Sequence, residues 1–162
     1  MKNVLLSLIL LLGLTSCLAN KVNNDTLMPM ARDIWPNVRV DYSRGLDDGV
    51  VKGDLSTEQR SVLESYADRL GTALKNANVV ELMSLPWDTV MRPWADRGIA
   101  AEVAAGELGI NGAKILFQRV ENFTNVIVTI QGKVVGLFNP RVVTDARLSQ
   151  LVDHRVRVWA NN

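Results

Sequence analysis

The chain has 162 residues, with 18 lysines and arginines against 17 aspartates and glutamates, one histidine and one cysteine. A formal net charge of +1 leaves no basic surplus for nucleic acid and no charged tail. One cysteine permits no disulfide within a monomer, and a lone His154 with no second histidine or free thiol does not assemble a zinc site.

The first element is a leader. Lys2 places a charge beside the N-terminus, and residues 4 to 14, VLLSLILLLGL, are apolar apart from Ser7. Small residues then lead to Cys17, and the chain turns polar from Asn20 onward. This is the order of a secretory signal: charged start, apolar centre, small-residue exit. The run stops short of the roughly 18 apolar residues that a spanning helix needs.

The stretch Leu14-Thr15-Ser16-Cys17 resembles the lipobox of bacterial lipoprotein signal peptides: an aliphatic residue, a small or β-branched one, a small one, then cysteine. The resemblance covers residues 1 to 17. It implies cleavage between Ser16 and Cys17 and attachment of diacylglycerol to the Cys17 thiol. It further implies a membrane-anchored protein of the bacterial cell envelope. Leu18 and Ala19 follow the cysteine where an aspartate would resemble an inner-membrane retention signal. That favours the outer membrane, facing the periplasm, in a host that sorts lipoproteins. Loss of Lys2 with residues 1–16 leaves the charges balanced. Residues 17–30, which are polar and rich in asparagine, read as the lipidated cysteine and a tether, and 31–162 as one domain.

Within the domain, "RGLDDGVVKGDL" (44–55) aligns with "RGIAAEVAAGEL" (97–108) at an offset of 53. Between residues 34 and 70 the ungapped pairing gives seven identities in 37 positions, where chance gives about two. An internal repeat is the expectation, with copies at about 33–77 and 86–130. Each copy reads as a helical hairpin. In the first, Ile34, Val38, Tyr42, Gly45, Leu46, Gly49 and Val50 recur at helical spacing. Asp33 suits the N-cap, Pro36 the first turn and Gly53 the stop. Ser56 with Gln59 forms a capping box for a second helix carrying Leu63, Ala67, Leu70, Leu74 and Ala77. The second copy places Leu116, Val120, Phe123, Ile127 and Ile130 at the same steps. That predicts a helix over 112–131, although "VIVTI" alone suggests a strand. Gly132 is its expected stop. KVVGLF (133–138) is compatible with a short strand pair, and a C-terminal helix carries Leu148, Val152 and Trp159. The fold class is therefore all-α.

Few residues stand out as sites. Gly45, Gly49 and Gly53 lie four apart, and interior glycines cost about 1 kcal/mol each relative to alanine. Gly45 and its partner Gly98 are expected where helices approach closely, inside the fold in preference to a dimer face. Arg44 and Arg97 precede them. They read as ion-paired surface residues, Arg44 with Asp48, or as a pair of anion-binding arginines. Trp87 and Trp94, seven apart with Pro93 between them, read as core aromatics on a kinked helix, or as the lining of a ligand groove. No GxSxG, GxGxxG or GxxxxGK[ST] pattern is present. No catalytic residue, metal ligand or cofactor is assigned. The leading expectation is a non-enzymatic envelope protein that contacts an unknown envelope protein. An enzyme acting on cell-wall glycan through Glu81, Glu102 or Glu107, and a small-ligand binder at Trp87/Trp94, are the alternatives.

Overall fold

In a computed structural model that describes residues 26–135, helix α1 runs Met28–Val51, α2 Thr57–Lys75, α3 Val79–Ser84, α4 Arg92–Ala104 and α5 Ile110–Val135. A π-helical turn, Trp87–Met91, leads into α4. No strand occurs among the described residues, and the fold is all-α.

Helix α1 begins earlier than its sequence suggests. Pro29 occupies the first turn, so Pro36 lies inside the helix and Asp33 is not its cap. The apolar pattern continues upstream of Ile34: Met28 and Ala31 are fully buried and Trp35 nearly so. Burial of those side chains outweighs the hydrogen bond that Pro36 forfeits, since each large one contributes about 1.5–3 kcal/mol. The segment expected to be tether over 28–30 is thus the first turn of the domain.

Helix α2 is capped as its sequence dictates. Ser56 Oγ accepts from Gln59 N at 3.1 Å, and Ser56 N donates to Gln59 Oε1 at 2.8 Å. The helix stops at Lys75, short of Ala77, which has φ +50°. Helix α5 covers 112–131, so the β-branched run in "VIVTI" is helical. Its tertiary setting decides the matter: Val126, Ile127 and Ile130 all turn into the core. It does not stop at Gly132. Residues 133–135 continue the helix, which removes the first half of the expected strand pair. The rest of that pair, the C-terminal helix and His154 lie outside the described residues.

At the offset of 53 the turns of the two long hairpins have the same backbone geometry. Gly53 and Gly106 have φ +78° and +73°. Gly53 N donates to Val50 O at 3.1 Å and Asp54 N to Gly49 O at 2.9 Å. Gly106 N and Glu107 N make the same bonds to Val103 O and Glu102 O, at 3.1 and 3.0 Å. An arginine–carboxylate pair also stands in the same register of each hairpin, Arg39–Asp68 at 2.5 Å and Arg92–Glu121 at 2.8 Å. The two pairs differ in setting. Asp68 is 63% exposed and Glu121 only 3%.

Helix α1 packs against α2, α4 and α5, and α4 packs against α1 and α5. The core between them centres on Trp35, Trp87 and Phe123. Trp35 stacks on Phe123 with centroids 5.4 Å apart, and Trp87 meets Phe123 edge-on at 4.7 Å. Such contacts add about 0.5–1.5 kcal/mol each to the area buried. Trp87 Nε1 donates to Thr124 Oγ1 at 2.9 Å, and that hydroxyl donates to Val120 O. Tyr42 is equally buried, and its hydroxyl donates to Leu63 O at 2.7 Å. At the far end Gln131 donates to the Leu82 and Leu85 carbonyls, joining α5 to the end of α3.

Candidate functional site

The seam where α1 crosses α4 concentrates the unusual residues of the molecule. Its centre is made by glycine. A Cβ built on Gly45 collides with the Trp94 carbonyl and falls 2.9 Å from Gly98 N. A Cβ on Gly98 collides with the Asp41 carbonyl and falls 2.9 Å from Gly45 N. Backbone therefore meets backbone, which no larger residue permits. Gly49, one turn along, gives room to the Trp94 ring, whose Cζ3 would lie only 2.7 Å from a methyl carbon on that glycine.

A lattice of charges closes over this seam. Arg44 on α1 reaches Glu102 on α4. Arg97 on α4 reaches back to Asp48 on α1 and to Asp54 in the following turn, both at 2.7 Å. Arg97 also lies 5.3 Å from the centroid of the Trp94 ring. Asp48 takes a second cation, Lys52, at 3.1 Å. Partial burial raises the Asp48 carboxyl, but the hydrogen bonds from Arg97 and Lys52 outweigh it and hold the group below the usual carboxylate range. The expected Arg44–Asp48 pair is thus replaced. Arg44 serves Glu102 across the crossing, with Asp41 3.9 Å away, and Asp48 serves Arg97. The helices approach closely enough that partners on the opposite helix displace those one turn along the same helix.

Beside the lattice is a cleft of about 350 Å³ lined by Asp48, Lys52, Asp54, Arg97, Ala100, Ala101 and Ala104. A shallower groove of about 370 Å³ runs along α1 past Pro36, Arg39, Val40, Ser43, Arg44 and Asp47. Arg97 is the natural anion-binding group of the cleft, yet two carboxylates already hold it. A phosphate or carboxylate ligand would have to displace them. That weighs against reading Arg44 and Arg97 as a ready anion clamp.

Trp87 and Trp94 do not form one surface. Trp87 is 1% exposed inside the aromatic core, while Trp94 is half-buried over Gly49 and Arg97. Neither cleft is lined by a tryptophan. Pro93 sits in the first turn of α4, and the irregularity expected there takes the form of the wide π turn just before it. Met91 N bonds to Pro86 O and Arg92 N to Trp87 O, each five residues back. Glu81, Glu102 and Glu107 have separate settings: the first pairs with Arg69 at 2.7 Å, the second with Arg44, and the third lies in the exposed turn after α4. Neither cleft is lined by any of the three. Cys17 and Ser16 lie outside the described residues. Among the described residues, no group of three or more histidines, cysteines, aspartates or glutamates is placed to hold a metal ion. No helix there is long and apolar enough to cross a membrane.

Three buried carboxylates, Asp41, Asp96 and Glu121, went unnoticed in the sequence. Asp41 is 3% exposed and Asp96 9%. Burial pushes the Asp96 carboxyl up to about 7 against the pull of Arg92, with Glu121 and Asp88 adding to the rise. Glu121 is raised too, first by burial, with Arg92 opposing. The signal for Asp41 was present: it stands three residues after Val38 and four before Gly45, on the buried stripe of α1.

The described part of the chain is thus an all-α domain of two hairpins clasped at a glycine crossing. No family model matches the chain, and neither a curated protein nor a solved structure does.

Proposed function

We propose that the chain is a lipid-anchored lipoprotein of the bacterial envelope, whose helical domain works through protein contacts and not through catalysis. The observation that carries this reading is Leu14-Thr15-Ser16-Cys17, set directly after the apolar run of residues 4–14. Two or more acyl chains on Cys17 hold a protein at a bilayer without help from the polypeptide, at about 0.8 kcal/mol per buried methylene. Residues 18–27 then join the lipid to α1. Fully extended they reach at most about 35 Å, so the domain works close to the membrane surface. Leu18 and Ala19 favour the outer membrane, facing the periplasm.

The same reading takes the two hairpins as copies of one ancestral unit. The seven identities, the matched glycine turns and the two arginine–carboxylate pairs in common register support it. The non-catalytic character rests on the charge lattice, in which the arginines at the seam are committed to carboxylates of the same fold.

Metabolic labelling with a fatty-acid analogue tests the anchor. The wild-type chain takes up label, and Cys17→Ser takes up none and accumulates as uncleaved precursor. Label retained by Cys17→Ser would overturn the assignment.

A further inference from the structure

Asp41 sits where the crossing is tightest. Its backbone carbonyl is the atom that a methyl group on Gly98 would strike. Its side chain is 4% exposed, and Oδ1 lies 3.9 Å from Arg44 Nη1, outside hydrogen-bond reach. Oδ2 has no hydrogen-bond partner at all. Three charged groups act on this carboxyl: Arg44 from α1 itself, Glu102 from α4 and Arg119 from α5. Arg44 is engaged by Glu102. An ionised carboxylate left with an unpaired oxygen in such a place is costly, and the neutral acid is much less so.

We propose that Asp41 is a proton-operated latch on the α1/α4 crossing, closed when the carboxyl carries its proton and opened more often when it does not. The latch needs no ligand beyond the proton. It would make the relative setting of the two hairpins, and of the charge lattice above them, responsive to the acidity of the compartment.

The sign follows from linkage. Burial, opposed by Arg119 and assisted by Glu102, pushes the Asp41 carboxyl up to about 6 in the closed protein. In the open state the group returns toward its ordinary range. The closed state therefore binds the proton more tightly. Its advantage is complete below the ordinary carboxylate range and is lost as pH rises through about 6. Asp96, on α4 beside Gly98, titrates in a neighbouring range, so the test has to isolate Asp41.

Hydrogen exchange of the full chain in mild detergent does so, read in peptides containing Gly45 and Gly98 with the intrinsic pH dependence of exchange divided out. Wild type is compared with Asp41→Asn, in which Asp96 is unchanged. The opening of wild type relative to Asp41→Asn is expected to rise about tenfold between about pH 5 and about pH 7.5. Parallel pH curves for the two proteins would overturn the proposal. Should Asp41→Asn fail to fold, Glu102→Gln decides. It removes the facing negative charge and frees Arg44 for Asp41, so the transition moves to lower pH. A transition that stays in place would assign the titration to another group and overturn the latch.

Discussion

Gly45 and Gly98 face each other across the α1/α4 crossing, a methyl carbon on either one falling 2.9 Å from the backbone nitrogen of the other. Each would also collide with a carbonyl of the opposite helix. The neighbours are backbone atoms, which cannot swing aside as a side chain does, so relief requires the helices to part.

The first prediction is a difference in sign. Gly45→Ala and Gly98→Ala each lower stability by about 1–3 kcal/mol through overpacking. Gly132→Ala, in α5 with nothing within 4 Å of the added carbon, raises it by about 0.4–1 kcal/mol through the unfolded chain. Denaturant midpoints measure all three. A gain at Gly45 or Gly98 would show that the crossing has slack.

The register-matched ion pairs make the second prediction. Arg92→Ala takes the guanidinium away from Glu121, whose side chain is 3% exposed, and costs up to about 3–5 kcal/mol, the range for removing one partner of a buried pair. Arg39→Ala frees Asp68, which already sees solvent, and Glu64, which keeps the Ser43 hydroxyl, and costs about 1 kcal/mol or less. Urea melts of the two variants, side by side, give the contrast. Equal losses would mean that burial does not set the value of these pairs.

Much of this fold was legible as spacing. The apolar steps after Ser56 predicted α2. Matching steps at the offset of 53 predicted α5 as a helix despite its β-branched residues, because periodicity reports the buried face and propensity only the local preference. The capping box and the helix stop at Gly53 followed from chemistry confined to a few residues. The errors have physical reasons too. Pro36 looked like a helix start because local rules place proline in the first turn. The buried trio Met28, Ala31 and Trp35 extended the helix past it. Gly132 looked like a stop, yet a glycine in a helix costs only about 1 kcal/mol and α5 absorbs that.

The candidate site was less legible. Gly45 and Gly98 announced close approach, but not which atoms would meet. The partners of Arg44 could not be read from the sequence, since Glu102 is near only once the hairpins cross. Asp41 lay on the buried stripe in plain view. An aspartate there reads as the polar edge of the stripe until α4 is known to cross over it.

The third prediction concerns the aromatic core. Thr124 accepts from Trp87 Nε1 and donates to Val120 O. Thr124→Val keeps the shape and removes the acceptor, leaving the indole N–H buried without a partner. The expected loss is about 1–3 kcal/mol. Thr124→Ser keeps the hydroxyl and should retain the hydrogen bond, losing only the packing of one methyl group. A chemical denaturation series on both variants checks this. A Val variant as stable as wild type would mean that the indole N–H finds another acceptor.

The anchor is the claim on which the functional reading stands, and the N-terminus of the mature protein tests it most directly. Intact and peptide mass spectrometry of protein purified from membranes should find Cys17 as the first residue, carrying diacylglycerol on its sulfur. An unmodified Cys17, or a mature chain that begins at any other residue, would contradict the account.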